Sequence, residues 1–321
     1  MLLIDDALNA AELPRGVIAT IGNYDGIHLG QQSVLELVRA RADETGLLAA
    51  AITFDPHPVT VLRPEAPVEL LTTRQQKEAQ LDRAGMDVVL VVRFTPEFSR
   101  THARSFVRDF LHGRLEVKEI YVGSRFAFGH QRSGDLSLLR QMGESFGFSA
   151  FAVDEVGRGG EAVSSTRIRK ALRDGCAEEA AALLGRPYSL SGIITKGAGK
   201  GRQLGWPTAN LASENQLIPR NGVYICRVEF GSIGGSFDAV TNIGTRPTLY
   251  ETYNRVIETH LLDFDSDVYG ERAEISFLKR LRDEIAFDGP EELSQQIVRD
   301  VEEAHEYLAA QSQVTEVSIK N

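Results

Sequence analysis

Two short stretches carry residue types suited to phosphate chemistry. Gly22-Asn23-Tyr24-Asp25-Gly26-Ile27-His28-Leu29-Gly30-Gln31-Gln32 follows an apolar run; its glycines permit close backbone approach, and His28 can donate to phosphate oxygens. A glycine loop with one histidine is equally a tight turn. Further on, Ser164, Ser165 and Thr166 stand in a row before Arg167 and Arg169. Hydroxyls at a helix start cap it, and the same cluster with arginines suits the β and γ groups of a triphosphate. Neither stretch is a Walker loop, and Gly197-Ala198-Gly199-Lys200 is followed by Gly201 and Arg202 rather than by Ser or Thr.

Phosphoryl transfer to a hydroxyl needs a phosphate cradle, a divalent cation and a group that orients the hydroxyl proton. The second half offers Gly197, Gly199, Gly201 and Gly205 for the cradle, with Lys200 and Arg202 as cations. Thr208 and Asn210 alternate across one residue, so a strand would point both to one side, and their oxygens are hard ligands suited to Mg²⁺. Taken alone, this stretch reads first as a polar strand edge, and Glu258 in its amphipathic run is ordinarily a solvated face. Asp55-Pro56-His57-Pro58 marks a rigid turn after a strand.

These residues need elements to hold them. Apolar runs at 16–22, 47–54, 87–94, 119–123 and 149–156 alternate with helix-like periodicity near 32–44, 73–84, 102–112 and 135–146. Strands this apolar, separated by helices, predict a doubly wound parallel α/β sheet covered on both faces. From about residue 186 the texture changes to β-rich runs at 189–197, 222–230, 237–244, 256–264 and 273–281, with helical periodicity returning near 290–310. That predicts a small β-barrel closed by a C-terminal helix. The expected domains are 1–185 and 186–310, with helical 166–184 ending the first and a polar tail at 311–321.

The length suits two domains, and the net charge of −10 argues against general affinity for nucleic acid or an anionic membrane, leaving small molecules as expected partners. Cys176 and Cys226 lie far apart with no Cys/His cluster, which fits a reducing cytoplasm and predicts neither disulfide nor zinc site. The N-terminus lacks the pattern of a signal peptide, and no run approaches the eighteen apolar residues of a membrane span.

In this order and spacing, GNYDGIHLG at 22–30, TFDPHP at 53–58, GSRFAFGHQRSG at 123–134 and SSTRIRK at 164–170 resemble the nucleotidyltransferase half of bacterial bifunctional riboflavin kinase/FAD synthetases. GRQLGWPTANL at 201–211, NGVYICRV at 221–228, TNIGTRPT at 241–248 and ETHLLDFDSDVYG at 258–270 resemble its riboflavin kinase half. The resemblance covers about residues 15 to 308. It implies that ATP phosphorylates riboflavin to FMN and then adenylylates FMN to FAD, with Mg²⁺ assisting both steps.

For the adenylyltransferase the resemblance implies ATP contacts from Gly22, Asn23, Tyr24, Asp25, Gly30, Ser164, Ser165, Thr166 and Arg167, and a flavin environment that includes Asp55, His57, Arg125, Phe126 and Phe128. For the kinase it implies an ATP cradle of Gly197, Lys200, Gly201 and Arg202, Mg²⁺ at Thr208 and Asn210, Glu258 as base, and Arg282 beside riboflavin. The family's His-x-Gly-His pair falls on His28 and Gln31, so the second histidine is a glutamine here. An amide donates but carries no charge, which predicts a slowed transfer rather than a lost one and a faster Gln31→His variant. The family also carries an acidic or amide residue at the position of Arg125, whose guanidinium either binds the FMN phosphate or disturbs flavin binding. The alternative is a monofunctional riboflavin kinase whose first domain only binds flavin or nucleotide; homo-oligomerisation is left open.

Overall fold

The computed structural model describes residues 1–196, 205–247 and 253–319. The chain forms two compact units, Met1–Ser165 and Thr166–Asn321.

In the first unit six strands form one parallel sheet: β1 (Leu2–Ile4), β2 (Val17–Ile21), β3 (Leu48–Asp55), β4 (Val88–Arg93), β5 (Glu119–Gly123) and β6 (Ser149–Val153), in the order β1-β4-β3-β2-β5-β6. Every residue of β2 is buried, because alternate side chains enter two different cores: Val17, Ala19 and Ile21 pack with Phe106, Leu111 and Val122, while Ile18 packs with Leu35, Val38 and Leu81. This two-sided burial is why the strands read as unbroken apolar runs.

Helices α1 (Leu29–Thr45), α3 (Arg74–Arg83) and α5 (Leu136–Phe146) match the predicted periodic segments, and a single-turn α2 (Pro58–Leu62) follows the Asp55-Pro56 turn. The segment at 102–112 is a short α4 (Ala103–Ser105) that widens into a π-helix over Phe106–His112. Edge strand β1 and the small hairpin β7 (Gly157–Arg158) and β8 (Glu161–Ala162) are too short to leave a periodic signal. The stretch 166–184 is broken into α6 (Ser165–Asp174) and α7 (Ala177–Leu184) at Gly175, where φ is +83°.

In the second unit β9 (Tyr188–Thr195), β10 (Ala209–Ser213), β11 (Gly222–Phe230), β12 (Ser236–Pro247), β13 (Tyr253–Leu261) and β14 (Arg272–Arg282) close an antiparallel barrel in the order β10-β13-β12-β11-β14-β9. Helix α7 packs on β9 and β14. The last helix, α8 (Pro290–Ile319), contains no glycine or proline beyond its first residue, so nothing ends it near 310. Its Ala304 and Leu308 cover Val223, Ile225, Val240 and Leu262 on the outer barrel face.

Candidate active sites

In the first unit β2 leads through α1 to β3 on one side, while β5 lies on the other, so the strand order reverses between β2 and β5. Ligands of open parallel sheets bind at the carboxyl ends of strands at such a point. A cavity of about 230 Å³ opens there, lined by Gly22, Tyr24, His28, Gly30 and Gln31 from the loop and helix start, and by Arg125 and Glu155 beyond β5 and β6. His28 caps α1, whose N-terminal amides therefore face this region.

The loop is held in a demanding conformation. Tyr24 and Ile27 have φ of +49° and +43°, left-handed values that side chains of this size rarely adopt, and both are almost fully buried. The Tyr24 hydroxyl bonds the Thr20 hydroxyl at 2.7 Å, and burial pushes the phenol pKa well up, so it stays neutral. Its ring lies so near Gly22 that an added Cβ there would stand 3.1 Å from it.

Asp25 does not line the cavity. Buried at 3% exposure, its carboxylate accepts the backbone N–H groups of Leu71 and Thr72 at 2.8 and 3.3 Å, tying the loop to the entry of α3. Ser165 Oγ donates to the Asp25 carbonyl at 2.8 Å, so this hydroxyl also supports the loop. Thr166 is exposed, and Arg167 pairs with Glu179 at 3.1 Å.

A second cavity of about 590 Å³ adjoins the first, and Ile21, Gly22, Arg125 and Phe126 belong to both walls. Asn23 lines this one. Its walls are aromatic: Phe126 stacks on Phe128 at 5.4 Å, and Phe54, Phe94 and Phe98 meet with centroids 5.6–6.3 Å apart. Arg63 and Arg132 stand on its wall with Arg125. Of this wall the sequence assigns Arg125, Phe126 and Phe128 to the flavin, and Gly22 and Asn23 to ATP. The missed signal is positional, since Phe54 and Phe94 sit at or just past the carboxyl ends of adjacent strands β3 and β4.

Asp55 and His57 line neither cavity. They line a separate cleft of about 50 Å³ with Arg74 and Lys77. His57 Nδ1 accepts the Val59 N–H at the start of α2, and Asp55 pairs with Arg74 at 3.5 Å. Burial lowers the Lys77 pKa, opposed by the charges of Asp25 and Asp55.

In the second unit a cavity of about 330 Å³ lies between the outer barrel face and α8, with Thr208, Asn242, Glu258, Arg282 and Asp300 among its walls. The strand register explains the grouping. Asn210 on β10 and Asn242 on β12 both stand directly opposite Glu258 on β13, so amide, carboxylate and amide share one face. Thr241 and Thr259, one residue away, bond each other at 3.0 Å on the buried opposite face.

Asn210 is 8% exposed, and neither Nδ2 nor Oδ1 has a hydrogen-bond partner among the described residues. A buried amide in this state needs an explanation, and a bound cation and its water would supply one. With the hydroxyl of Thr208 and the carboxylate of Glu258 it offers hard oxygen donors that fit Mg²⁺. Asn242 was not singled out in the sequence; it shares its side of β12 with Asp238 and Val240, so its residue type alone leaves no signal there.

The Arg282 guanidinium grips Asp300 of α8 bidentately, with Nη2 to Oδ2 at 2.6 Å and Nε to Oδ1 at 2.9 Å. It also lies 5.9 Å from the Phe287 ring centroid. Gln296 donates to the same carboxylate at 2.9 Å. Gly197, Lys200, Gly201 and Arg202 lie outside the described residues.

A family model described as FAD synthetase matches residues 10–167, and one described as riboflavin kinase matches residues 184–308. The bifunctional riboflavin kinase/FMN adenylyltransferase of Haemophilus influenzae is 36% identical over 314 residues, covering 96% of this chain and 99% of that protein. The protein of the same description from Pseudomonas fluorescens is 38% identical over 310 residues, covering 96% and 98%. A crystal structure from Streptococcus pneumoniae, named a macrolide-efflux protein, is 28% identical with a TM-score of 0.86, covering 95% of this chain and 98% of that one. No helix among the described residues is long and apolar enough to cross a membrane. Two family models in tandem and relatives matched over nearly their whole length agree, and the chain belongs to the bifunctional riboflavin kinase/FMN adenylyltransferase family.

Proposed function

We infer that this chain phosphorylates riboflavin with ATP to give FMN, and then adenylylates FMN with a second ATP to give FAD and pyrophosphate. The observation that carries the second activity is the shared wall of the two cavities in the first unit. An aromatic chamber suited to an isoalloxazine ring adjoins a smaller cavity at a helix N-terminus suited to phosphates, and they meet at Gly22, Arg125 and Phe126.

In the adenylyl transfer an FMN phosphate oxygen attacks the α-phosphorus of ATP as the bond to pyrophosphate breaks. His28, Gln31, Gly22, Gly30 and the amides at the start of α1 hold the nucleotide phosphates. Phe126, Phe128 and the other ring side chains hold the flavin. Asp25, Tyr24 and Ser165 act through the loop they hold, and Asp55 and His57 through the turn behind the aromatic wall. Ser164, Thr166 and Arg167 are kept as nucleotide contacts on the strength of the family motif.

In the kinase reaction the terminal ribityl hydroxyl of riboflavin attacks the γ-phosphorus, ADP leaves, and Glu258 accepts the hydroxyl proton. Asn242, opposite Glu258, orients its carboxylate. Thr208 and Asn210 would hold Mg²⁺, which neutralises phosphate charge when bound. Arg282, fixed by Asp300, walls the riboflavin cavity, and the cradle at Gly197, Lys200, Gly201 and Arg202 receives ATP. The functional division we assign falls at 185/186, next to the start of the second matched segment at residue 184. The substrates and two free cysteines fit a cytoplasmic enzyme.

Chromatography of products tests the reading. Riboflavin, ATP and Mg²⁺ should yield FMN followed by FAD, and supplied FMN should yield FAD. FMN that accumulates while supplied FMN gives no FAD would establish the alternative, a riboflavin kinase carrying a binding domain.

A further inference from the structure

The cavity at the start of α1 is short of positive charge. Its wall contains two carboxylates, Asp154 and Glu155, and one neutral amide side chain, Gln31, beside His28. Among the described residues that line it, Arg125 is the one permanent cation. A site that grips a triphosphate while negative charge redistributes at the α-phosphorus needs donors and cations placed at those oxygens.

Arg125 stands where that need arises. It belongs to the wall of both the nucleotide cavity and the aromatic cavity, at the place where the attacking FMN phosphate must meet the α-phosphorus. Its one ion pair among those described is with Glu155, Nη2 to Oε2 at 2.6 Å, and both partners face solvent, with 79% and 37% exposure. An ion pair this exposed holds weakly, so the guanidinium can exchange Glu155 for a phosphate oxygen with little loss. A planar fork of N–H donors suits two non-bridging oxygens at once.

We propose that Arg125 supplies, at the transferring phosphoryl group, the positive charge that the neutral Gln31 lacks, acting as a catalytic residue of the adenylyl transfer rather than only as a flavin contact. This rests on the adenylyltransferase reading above. In the step, the bond from the FMN phosphate oxygen to the α-phosphorus forms as the bond to pyrophosphate breaks. The guanidinium donates to a non-bridging oxygen and exchanges no proton.

The two positions are therefore coupled. With Arg125 present, Gln31→His should raise the rate less than tenfold, a smaller gain than Gln31 alone would suggest. Without Arg125, the same substitution should restore what was lost.

The test uses the full chain and measures FAD formation from FMN, ATP and Mg²⁺ for wild type, Arg125→Gln, Arg125→Lys, Gln31→His and the double variant Gln31→His/Arg125→Gln. Arg125→Gln is expected to lower kcat about 10²-fold, with the KM for FMN changed less than fivefold and quenching of FMN fluorescence retained. Arg125→Lys should keep more than a tenth of the wild-type rate. The double variant should regain at least tenfold over Arg125→Gln, and that regained rate should fall as pH rises through the ordinary histidine range near 6.5, because the charge now sits on an imidazolium.

Full activity in Arg125→Gln, a rise confined to the KM for FMN, or no recovery in the double variant each overturns the proposal while leaving the adenylyltransferase reading intact. A wild-type chain that forms no FAD overturns that reading and the proposal together. Loss of FMN quenching in Arg125→Gln would instead assign the residue to flavin binding, also against the proposal.

Discussion

The side-chain carbonyl of Gln31 accepts the backbone N–H of His28 across 3.2 Å. That bond commits one end of the amide to the start of α1, at the third helical position, where Glu and Gln commonly reach back to the cap. Only the NH₂ end is left to donate to a phosphate. Gln31→Glu keeps the acceptor and favours the helix dipole, but it places a negative oxygen where the donor stood. We expect an unchanged thermal midpoint and a fall in FAD formation of about 10²-fold or more. Gln31→Ala should lower both, with a loss near 1 kcal/mol in stability. Melting curves beside steady-state rates separate the two roles.

Glu258 has an amide directly opposite on each side, from Asn210 and Asn242. Replacing it with glutamine preserves shape and removes the proton acceptor we propose for the kinase step. FMN formation from riboflavin should fall by about 10²–10⁴, while FAD formation from supplied FMN stays at the wild-type rate. Equal losses in both assays would mean that the substitution damages the chain rather than the kinase chemistry.

The sheet was legible because both of its faces are buried, so Val17–Ile21 and Val88–Val92 appear as unbroken apolar runs. The barrel was legible as a texture, but β10 showed only as the alternation of Thr208 and Asn210, because its five residues are too few to stand out as a run. The loop at 22–31 was readable from glycine and histidine types. The roles of Asp25 and Ser165 were not, since both act on backbone groups, one of them 46 residues away. The Phe54–Phe94–Phe98 wall and the pairing of Asn242 with Glu258 depend on strand order and register, which local spacing does not encode. The co-location of Gln31 and Arg125 is of the same kind.

Asn242→Asp and Asn242→Leu test the orienting role we propose for the amide opposite Glu258. Both remove its NH₂ donor, and the aspartate adds a like charge beside the carboxylate. FMN formation should fall about tenfold in Asn242→Leu and further in Asn242→Asp, while FAD formation from supplied FMN is unchanged. Wild-type FMN formation in both variants would remove Asn242 from any role beside Glu258.

Arg282 and Asp300 join the end of β14 to the closing helix, and both are largely buried, at 18% and 6% side-chain exposure. Removing one partner strands the other charge. Asp300→Ala should cost about 3–5 kcal/mol in unfolding free energy and should abolish kinase activity before FAD synthesis from FMN is affected. The double variant Arg282→Met/Asp300→Leu should recover most of the stability but not riboflavin binding. Urea titration followed by both assays distinguishes the contributions.

Cys226 is fully buried, and burial pushes its thiol up to about 12, opposed by a bond from Thr241. The unfolded thiol ionises near 8.5. Below that pH neither state ionises and the thiol has no effect on pH dependence. Above it the unfolded state releases the proton first, so stability falls by about 1.4 kcal/mol per pH unit until the folded thiol also ionises. Relative to Cys226→Ala, the wild-type barrel should therefore lose about 2 kcal/mol between pH 8.5 and 10. Iodoacetamide at pH 8 should label exposed Cys176 and leave Cys226 untouched until urea is added, which mass spectrometry of tryptic peptides reads directly.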